Sequence, residues 1–128
     1  MKILGIGVDI IKNDRFRNLT LNKKFINKTF GKNEIKFSKK ILNKTNYFAK
    51  RFAAKESFAK SLGTGFRDGL KLKDIEVLND KIGKPFYSKS KKVDKIINKK
   101  FKIKKYNLFL SISDEKEYSI AFTILQTK

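Results

Sequence analysis

Two residue types that carry much of enzyme chemistry are missing from this sequence of 128 residues, which has no cysteine and no histidine. The absence of cysteine excludes disulfide bonds and a thiol nucleophile. The absence of histidine removes the usual general base and the commonest zinc ligand. Any chemistry must therefore use carboxylates, lysine, hydroxyl groups or a hard cation.

A long apolar segment is missing too. The N-terminal apolar run, residues 3–11, is too short to span a bilayer and contains Asp9. It does not have the pattern of a signal peptide, so we expect a cytoplasmic protein without a membrane partner. The length predicts a single domain over residues 1–128, and 40% hydrophobic residues are enough for a folded core.

Acidic residues are scarce, with 12 against 32 basic residues and a formal net charge of +20. Such a charge attracts polyanions, whether nucleic acid, an anionic membrane or an acidic protein. Only four basic residues are arginine, the usual residue for recognition of bases and phosphates. Most lysines are therefore interpreted as a solvated surface, partly a result of compositional drift. A non-catalytic, basic RNA-binding protein is the alternative, although no RNA-binding motif is present.

The hydrophobic pattern predicts an α+β fold with a mostly antiparallel sheet. Residues 2–11 alternate as a strand, with Leu4, Ile6, Val8 and Ile10 on one face and Ile3, Gly5, Gly7, Asp9 and Ile11 on the other. Residues 46–62 predict a long helix that ends at Gly63. Short helices are predicted within 13–44, a loop over 63–69 and a strand over 70–78. A turn over 79–85 precedes a short strand. The last predicted elements are a basic amphipathic helix over 89–104 and a hairpin of 108–113 with 118–125.

Asp9 lies within the first predicted strand, where an unpaired carboxylate among apolar residues is costly. It therefore needs a cation or several hydrogen-bond donors. Gly5 and Gly7 share its face, and glycines in a strand often mark close approach by another backbone or a ligand. The alternative is a structural aspartate that caps the following turn.

Glu56 and Lys60 lie four residues apart, and hence on one side of the long helix. Glu56 falls at the edge of its apolar stripe and Lys60 just beyond. The alternative is a surface ion pair worth about 0.2–0.5 kcal/mol. Lys55 also falls on the apolar side, and two ionisable groups there indicate a cleft or a subunit contact rather than a dry core.

The segment Gly63-Thr64-Gly65 directly follows this helix. Glycines allow positive φ and leave backbone N–H groups open to a phosphate. The C-terminus of a helix disfavours anions, however, so a helix stop followed by a turn is the alternative. Gly83-Lys84-Pro85 has the composition of an ordinary turn.

Four segments together resemble the holo-[acyl-carrier-protein] synthases, the small bacterial type of phosphopantetheinyl transferase. These segments are GIGVDI (5–10), RFAAKESFAKSLGTG (51–65), NDKIGKP (79–85) and SISDEKEYSIAF (111–122). The second is the most specific, and the four in order cover nearly the whole chain. The resemblance implies the compact α+β fold of that family, with the sheet packed on a long central helix, and a homotrimer with active sites between subunits.

The resemblance also implies roles for individual residues. Asp9 and Glu56 correspond to magnesium ligands, and Lys60 corresponds to the lysine near the reacting phosphate. Positions where members contact coenzyme A are Gly63, Thr64, Gly65, Lys84 and Pro85. Arg15 and Arg51 fall where members present basic residues to the acidic carrier protein, and Arg17 joins Arg15 as a further docking residue in the first helix.

The implied reaction moves the 4′-phosphopantetheine of coenzyme A to a serine hydroxyl of acyl carrier protein and releases 3′,5′-ADP. Mg²⁺ is typically held by one or two carboxylates plus substrate phosphates, so no histidine is needed. We expect Lys60 to stabilise the leaving group, and Glu56 or a water that it orients to be the base. Many members have histidine where this chain has Asp114, so no phosphate contact is expected there.

Overall fold

The computed structural model describes residues 1–67 and 69–128. Within them the fold is α+β, as predicted, and every strand pairing is antiparallel. A three-stranded sheet has the order β1 (Ile3–Lys12), β5 (Tyr118–Thr127), β4 (Tyr106–Asp114). A small second sheet pairs β2 (Val77–Asn79) with β3 (Pro85–Tyr87).

The helices confirm the predicted short helices and the long central helix. After a 3-10 turn at Asn13–Arg15, they are α1 (Phe16–Leu19), α2 (Lys23–Thr29), α3 (Lys32–Ser38), α4 (Lys44–Leu62) and α5 (Lys91–Phe101). Asn43 caps α4 by accepting a hydrogen bond from the Asn46 N–H at 3.0 Å. Over the part of the chain that the structure describes, no helix has the length and apolarity needed to cross a membrane.

Strand β1 packs directly on α4 because two glycines leave no side chain between them. A Cβ built at Gly7 would lie 1.8 Å from the backbone oxygen of Ser57, and one at Gly5 would lie 1.8 Å from that of Ser61. The prediction of a close backbone approach at these glycines is confirmed. Asp9 lies on the same face of β1, so this packing brings its carboxylate to the helix.

The strand predicted over residues 70–78 is wrong for most of its length. Only its C-terminal end belongs to β2, and Leu72–Asp74 form a 3-10 turn. The ammonium of Lys55 accounts for the difference, because it donates to the carbonyl oxygens of Leu72 at 3.0 Å and Ile75 at 2.7 Å. These contacts hold the segment against the buried lysine instead of along a neighbouring strand.

The face of the three-stranded sheet that turns away from α4 is apolar and exposed within one chain. Directly paired residues share a face, so the register places Val8 beside Phe122 and Ile10 beside Ile120. Val8 is 57% exposed. The exposed sheet face, as we call it below, consists of Ile6, Val8, Ile10, Phe109, Ile120 and Phe122.

Candidate active site

Strand β1 and helix α4 bring Asp9, Glu56 and Lys60 together. The Lys60 ammonium donates to Asp9 Oδ1 at 3.2 Å and to the carbonyl oxygen of Val8 at 3.0 Å. Lys60 thus pairs across two elements, whereas the alternative interpretation had it pair with Glu56 along one helix. The cluster depends on the glycine contact between strand and helix, which sets the distance from Asp9 to α4.

The electrostatic state of Glu56 shows that the two carboxylates interact. Partial burial raises the pKa of Glu56, the negative charge of Asp9 raises it further, and Lys60 and Arg15 lower it less. Two facing carboxylates repel each other, and a bound cation would relieve that repulsion. The site therefore has the charge and the oxygen donors of a divalent-cation site.

The composition of this site suits magnesium. Among residues 1–67 and 69–128, no group of three or more histidine, cysteine, aspartate or glutamate side chains could hold a metal ion. Mg²⁺ commonly uses one or two protein carboxylates and takes its other ligands from water and substrate phosphates. Asp9 and Glu56 fit that donor set, and they lack the nitrogen or sulfur donors typical of zinc.

The loop after α4 ends the helix. Gly63 has a φ of 81° and Gly65 a φ of 71°, and both N–H groups donate to helix carbonyls, Gly63 to Lys60 at 3.0 Å and Gly65 to Ala59 at 3.3 Å. The expectation that these two N–H groups are open to a phosphate is therefore wrong. A contact between coenzyme A and this loop, including Thr64, stays a prediction.

A cavity of about 490 Å³ lies beside the N-terminal half of α4 and was not predicted from the sequence. Its lining includes the aromatic rings of Phe37 and Tyr47 and the cationic side chains of Lys40, Lys50 and Arg51. Cations bind phosphate groups and aromatic rings stack on bases, so this lining suits a phosphorylated nucleoside. We call it the basic cavity.

Arg51 is part of the basic cavity, which corrects its assignment to carrier-protein docking. Only 7% of the residue is exposed, and the guanidinium carbon lies 3.6 Å from the centroid of the Tyr47 ring. The guanidinium donates to the carbonyl oxygen of Tyr47 and to Asn79 Oδ1. In the described part of the chain, its Nε is the one buried side-chain nitrogen or oxygen without a hydrogen-bond partner. A side chain enclosed in this way is not available to the surface of a partner.

The other two candidate docking residues are exposed. Arg17 pairs with Asp14 at 2.8 Å, and Arg15 lies near enough to the active site to lower the pKa of Glu56. Both arginines therefore remain candidates for contact with an acidic partner.

Lys84 and Pro85 do not line the basic cavity but a separate one, beside Phe109 and Phe122 of the exposed sheet face. Asn79, which lines the basic cavity, donates from Nδ2 to the carbonyl oxygen of Gly83 at 2.9 Å. The Lys84 N–H donates to Asp80 Oδ1 at 2.8 Å, which fixes the turn. The predicted contact of Lys84 and Pro85 with coenzyme A stays a prediction.

Asp114 stands at the end of β4, where many members of the resembled family have histidine. Its Oδ2 accepts a hydrogen bond from Asn46 Nδ2 on α4 at 3.1 Å. A carboxylate held by an amide joins sheet to helix, and this contact involves no phosphate.

Lys55 does not mark a cleft, contrary to the prediction. Its side chain is fully buried and pairs with the equally buried Glu34 at 2.6 Å. Burial lowers the pKa of Lys55 and raises that of Glu34, while the pair's own attraction opposes both shifts. The position of Lys55 on the apolar side of α4 indicated an unusual lysine, but no sequence pattern identified its partner in α3.

The sequence is similar to known proteins along its whole length. A sequence model of the 4′-phosphopantetheinyl transferase superfamily matches residues 5–123. The holo-[acyl-carrier-protein] synthase of Pelagibacter ubique (strain HTCC1062) is 56% identical over 128 residues, 100% of both chains.

Solved structures have the same fold. A holo-(acyl-carrier-protein) synthase from Bacillus anthracis, in complex with CoA (3′,5′-ADP), is 34% identical with a TM-score of 0.80 over 100% of both chains. The enzyme from Neisseria meningitidis is 31% identical with a TM-score of 0.87, covering 98% of this chain and 99% of the other.

This chain therefore belongs to the 4′-phosphopantetheinyl transferase superfamily. The resemblance to the holo-[acyl-carrier-protein] synthases, drawn from four short segments, is confirmed along the whole chain, and so is the fold that it implied.

Proposed function

We propose that this chain is an enzyme that transfers the 4′-phosphopantetheine arm of coenzyme A to a serine hydroxyl of acyl carrier protein. The observation that carries this function is the convergence of Asp9, Glu56 and Lys60 from β1 and α4, in the segments that match the family. A non-catalytic RNA-binding protein would leave this arrangement without a role.

Asp9 and Glu56 would hold Mg²⁺, since the charge of Asp9 acts on Glu56 and both side chains offer carboxylate oxygens. When bound there, the ion supplies charge neutralisation for the pyrophosphate of coenzyme A. The Lys60 ammonium donates to Asp9 Oδ1, so it would interact with the phosphates of a substrate bound at these carboxylates.

The chain's own residues account for the movement of the proton and of the leaving group. The serine oxygen of the carrier protein bonds to the phosphorus next to the pantetheine arm, and the bond from that phosphorus to the oxygen of the adenosine phosphate breaks. The serine proton passes to Glu56, or to a water that Glu56 orients, because a chain without histidine has carboxylates as its available proton acceptors. Lys60 stabilises the charge that develops on the departing 3′,5′-ADP.

The basic cavity is the proposed binding site for the adenosine bisphosphate end of coenzyme A. Lys40, Lys50 and Arg51 all line the cavity, and together they supply three positive charges for phosphates. Arg51 and Lys60 are nine residues apart on α4, about 13 Å along the axis. Neither Asp9 nor Glu56 lines the cavity, so one chain presents the two halves of the substrate site separately.

The family resemblance implies a homotrimer with active sites between subunits, and a second copy of the chain could supply the other half of each site. The exposed sheet face groups more large apolar side chains than a surface in contact with water normally carries. An exposed apolar patch of this kind marks an interface.

The carrier protein is acidic, and the net charge of +20 steers such a partner toward the enzyme. Arg15 and Arg17 supply exposed charge beside the active site. The predicted cytoplasmic location remains part of this proposal.

Mass spectrometry of apo carrier protein tests the function. After incubation with this chain, coenzyme A and Mg²⁺, we expect a gain equal to the phosphopantetheine group, lost on chelation. Glu56→Gln should remove the transfer while leaving the melting temperature near that of the wild type or above it. Glu115→Gln, an exposed carboxylate in the hairpin turn, is the matched control. No mass gain with the wild type would refute the function, and full activity of Glu56→Gln would remove Glu56 from the mechanism.

A further inference from the structure

The buried pair of Glu34 and Lys55 takes part in no step of the proposed reaction, yet its hydrogen bonding is complete. Lys55 Nζ donates to Glu34 Oε1 at 2.6 Å and to the carbonyl oxygens of Leu72 at 3.0 Å and Ile75 at 2.7 Å. An ammonium has three N–H groups, so all of them are used. Lys55 therefore fixes α3 and the segment before β2 to α4.

Glu34 makes matching contacts from its side. Its Oε1 also accepts the Gly31 N–H at 2.9 Å, and its Oε2 accepts the Val77 N–H at 3.0 Å. Its carbonyl oxygen accepts the hydroxyl of Tyr47 at 2.6 Å. One carboxylate thus bonds its own helix start, helix α4 through Lys55, and strand β2.

The three segments joined in this way are those that form the basic cavity. Phe37 follows Glu34 on α3, Tyr47 and Arg51 come from the first part of α4, and Leu78 directly follows Val77 in β2. Tyr47 connects the two features, since its hydroxyl bonds Glu34 and its ring lies against Arg51. The ion pair is therefore the common support of the cavity walls.

We infer that Glu34 and Lys55 are positioning residues, which hold the walls of the basic cavity in their binding geometry before the nucleotide arrives. A buried ion pair is weak as a source of stability, because apolar residues of similar volume often do as well or better. The specific contribution of this ion pair is geometric. Its hydrogen bonds can all form in only one arrangement of the three segments. The inference rests on the proposed placement of the adenosine bisphosphate in this cavity.

The test compares Glu34→Gln and Lys55→Met with Tyr87→Phe in the full chain. Tyr87 is a matched control because its hydroxyl donates to the carbonyl oxygen of Ala54 at 2.6 Å, next to Lys55 on α4, but does not line the cavity. Adenosine 3′,5′-bisphosphate is titrated calorimetrically. Hydrogen exchange is followed without nucleotide in residues 35–41 and 77–79.

We expect the dissociation constant to rise about tenfold or more in both pair variants, and less than about twofold in Tyr87→Phe at a similar loss of melting temperature. Exchange at 35–41 and 77–79 should quicken only in the pair variants, and the KM for coenzyme A should rise more than kcat falls. If Lys55→Met does not fold, the result with Glu34→Gln, which keeps the side-chain shape, decides whether the inference holds.

Pair variants that match Tyr87→Phe in affinity and exchange would overturn the inference. A wild type that binds no nucleotide would instead refute the proposed substrate site, and the exchange result would then decide the positioning role alone.

Discussion

Adding one methyl group to Gly7 should damage both stability and catalysis. The new Cβ would lie 1.8 Å from the backbone oxygen of Ser57 and 2.8 Å from the backbone nitrogen of Ser61. Backbone atoms cannot rotate away, so β1 must retreat from α4 by about 1.5 Å to reach ordinary contact. Overpacking of a core typically costs about 1–3 kcal/mol, and a clash of two backbones belongs at or above the upper end.

The same retreat moves Asp9, two residues further along β1, away from Glu56 and Lys60. A misplacement of about 1 Å can cost about a hundredfold in rate. We therefore expect Gly7→Ala to lower the melting temperature by roughly 10 °C or more, since about 1 kcal/mol corresponds to roughly 4 °C at this size. The transfer rate should fall about a hundredfold where the variant is still folded.

Calorimetry and the carrier-protein assay measure the two effects. Gly83→Ala is the control for stability, because its Cβ meets nothing within 4 Å and only its φ of 88° is unfavourable, a cost of about 1–2 kcal/mol. A Gly7→Ala protein that melts within about 3 °C of the wild type and transfers at the normal rate would refute the view that this contact sets the active site.

Three further outcomes follow from the charges and surfaces. Arg15→Ala should move the acidic limb of the pH profile of kcat/KM to higher pH, because Arg15 lowers the pKa of the base Glu56. An acidic limb at the wild-type pH would show that Arg15 does not act on Glu56. Burial raises the pKa of Tyr87 to about 12 from 10.0, so folding favours the protonated form of this side chain. The shift corresponds to roughly 2–3 kcal/mol of folding stability, which is present below pH 10 and should be lost as the pH rises to 12. In denaturant titrations, the free energy of unfolding of Tyr87→Phe should fall less between pH 10 and 12 than that of the wild type. An equal fall in both proteins would contradict this prediction. Val8→Lys on the exposed sheet face should yield monomers in sedimentation, whereas Leu42→Lys, at a fully exposed residue outside the sheet, should not.

The sequence predicted the elements whose signal is local. The long helix has few residues that oppose helix formation and ends at glycine, and the hairpin alternates in apolar character, so α4, β4 and β5 were found near their true bounds. The pairing of Asp9 with Lys60 was also within reach, because a carboxylate beside two glycines in a strand needs both a cation and a close neighbour.

Features that depend on contacts between distant segments were not predictable. The basic cavity draws on α3, α4 and β2, and no single segment carries its pattern. The residues before β2 look like a strand, but Lys55 takes two of their carbonyls and bends them into a turn. Arg51 looked like surface charge because its burial depends on Tyr47 and Asn79, the latter 28 residues away.

The scarcity of acidic residues gives the pair Asp9 and Glu56 its significance. Other carboxylates in this basic chain serve the fold by accepting backbone N–H groups, as Glu76 does from Asn33 at 2.8 Å and Asp80 from Ile82 at 3.0 Å. The pKa of Glu56 is instead raised, first by burial and then by the negative charge of Asp9. Lys60, which pairs with Asp9, and Arg15 offset the repulsion between these two carboxylates only in part, although the net charge of the protein is +20. Such an arrangement is consistent with a site built for a cation and a reacting phosphate rather than for stability.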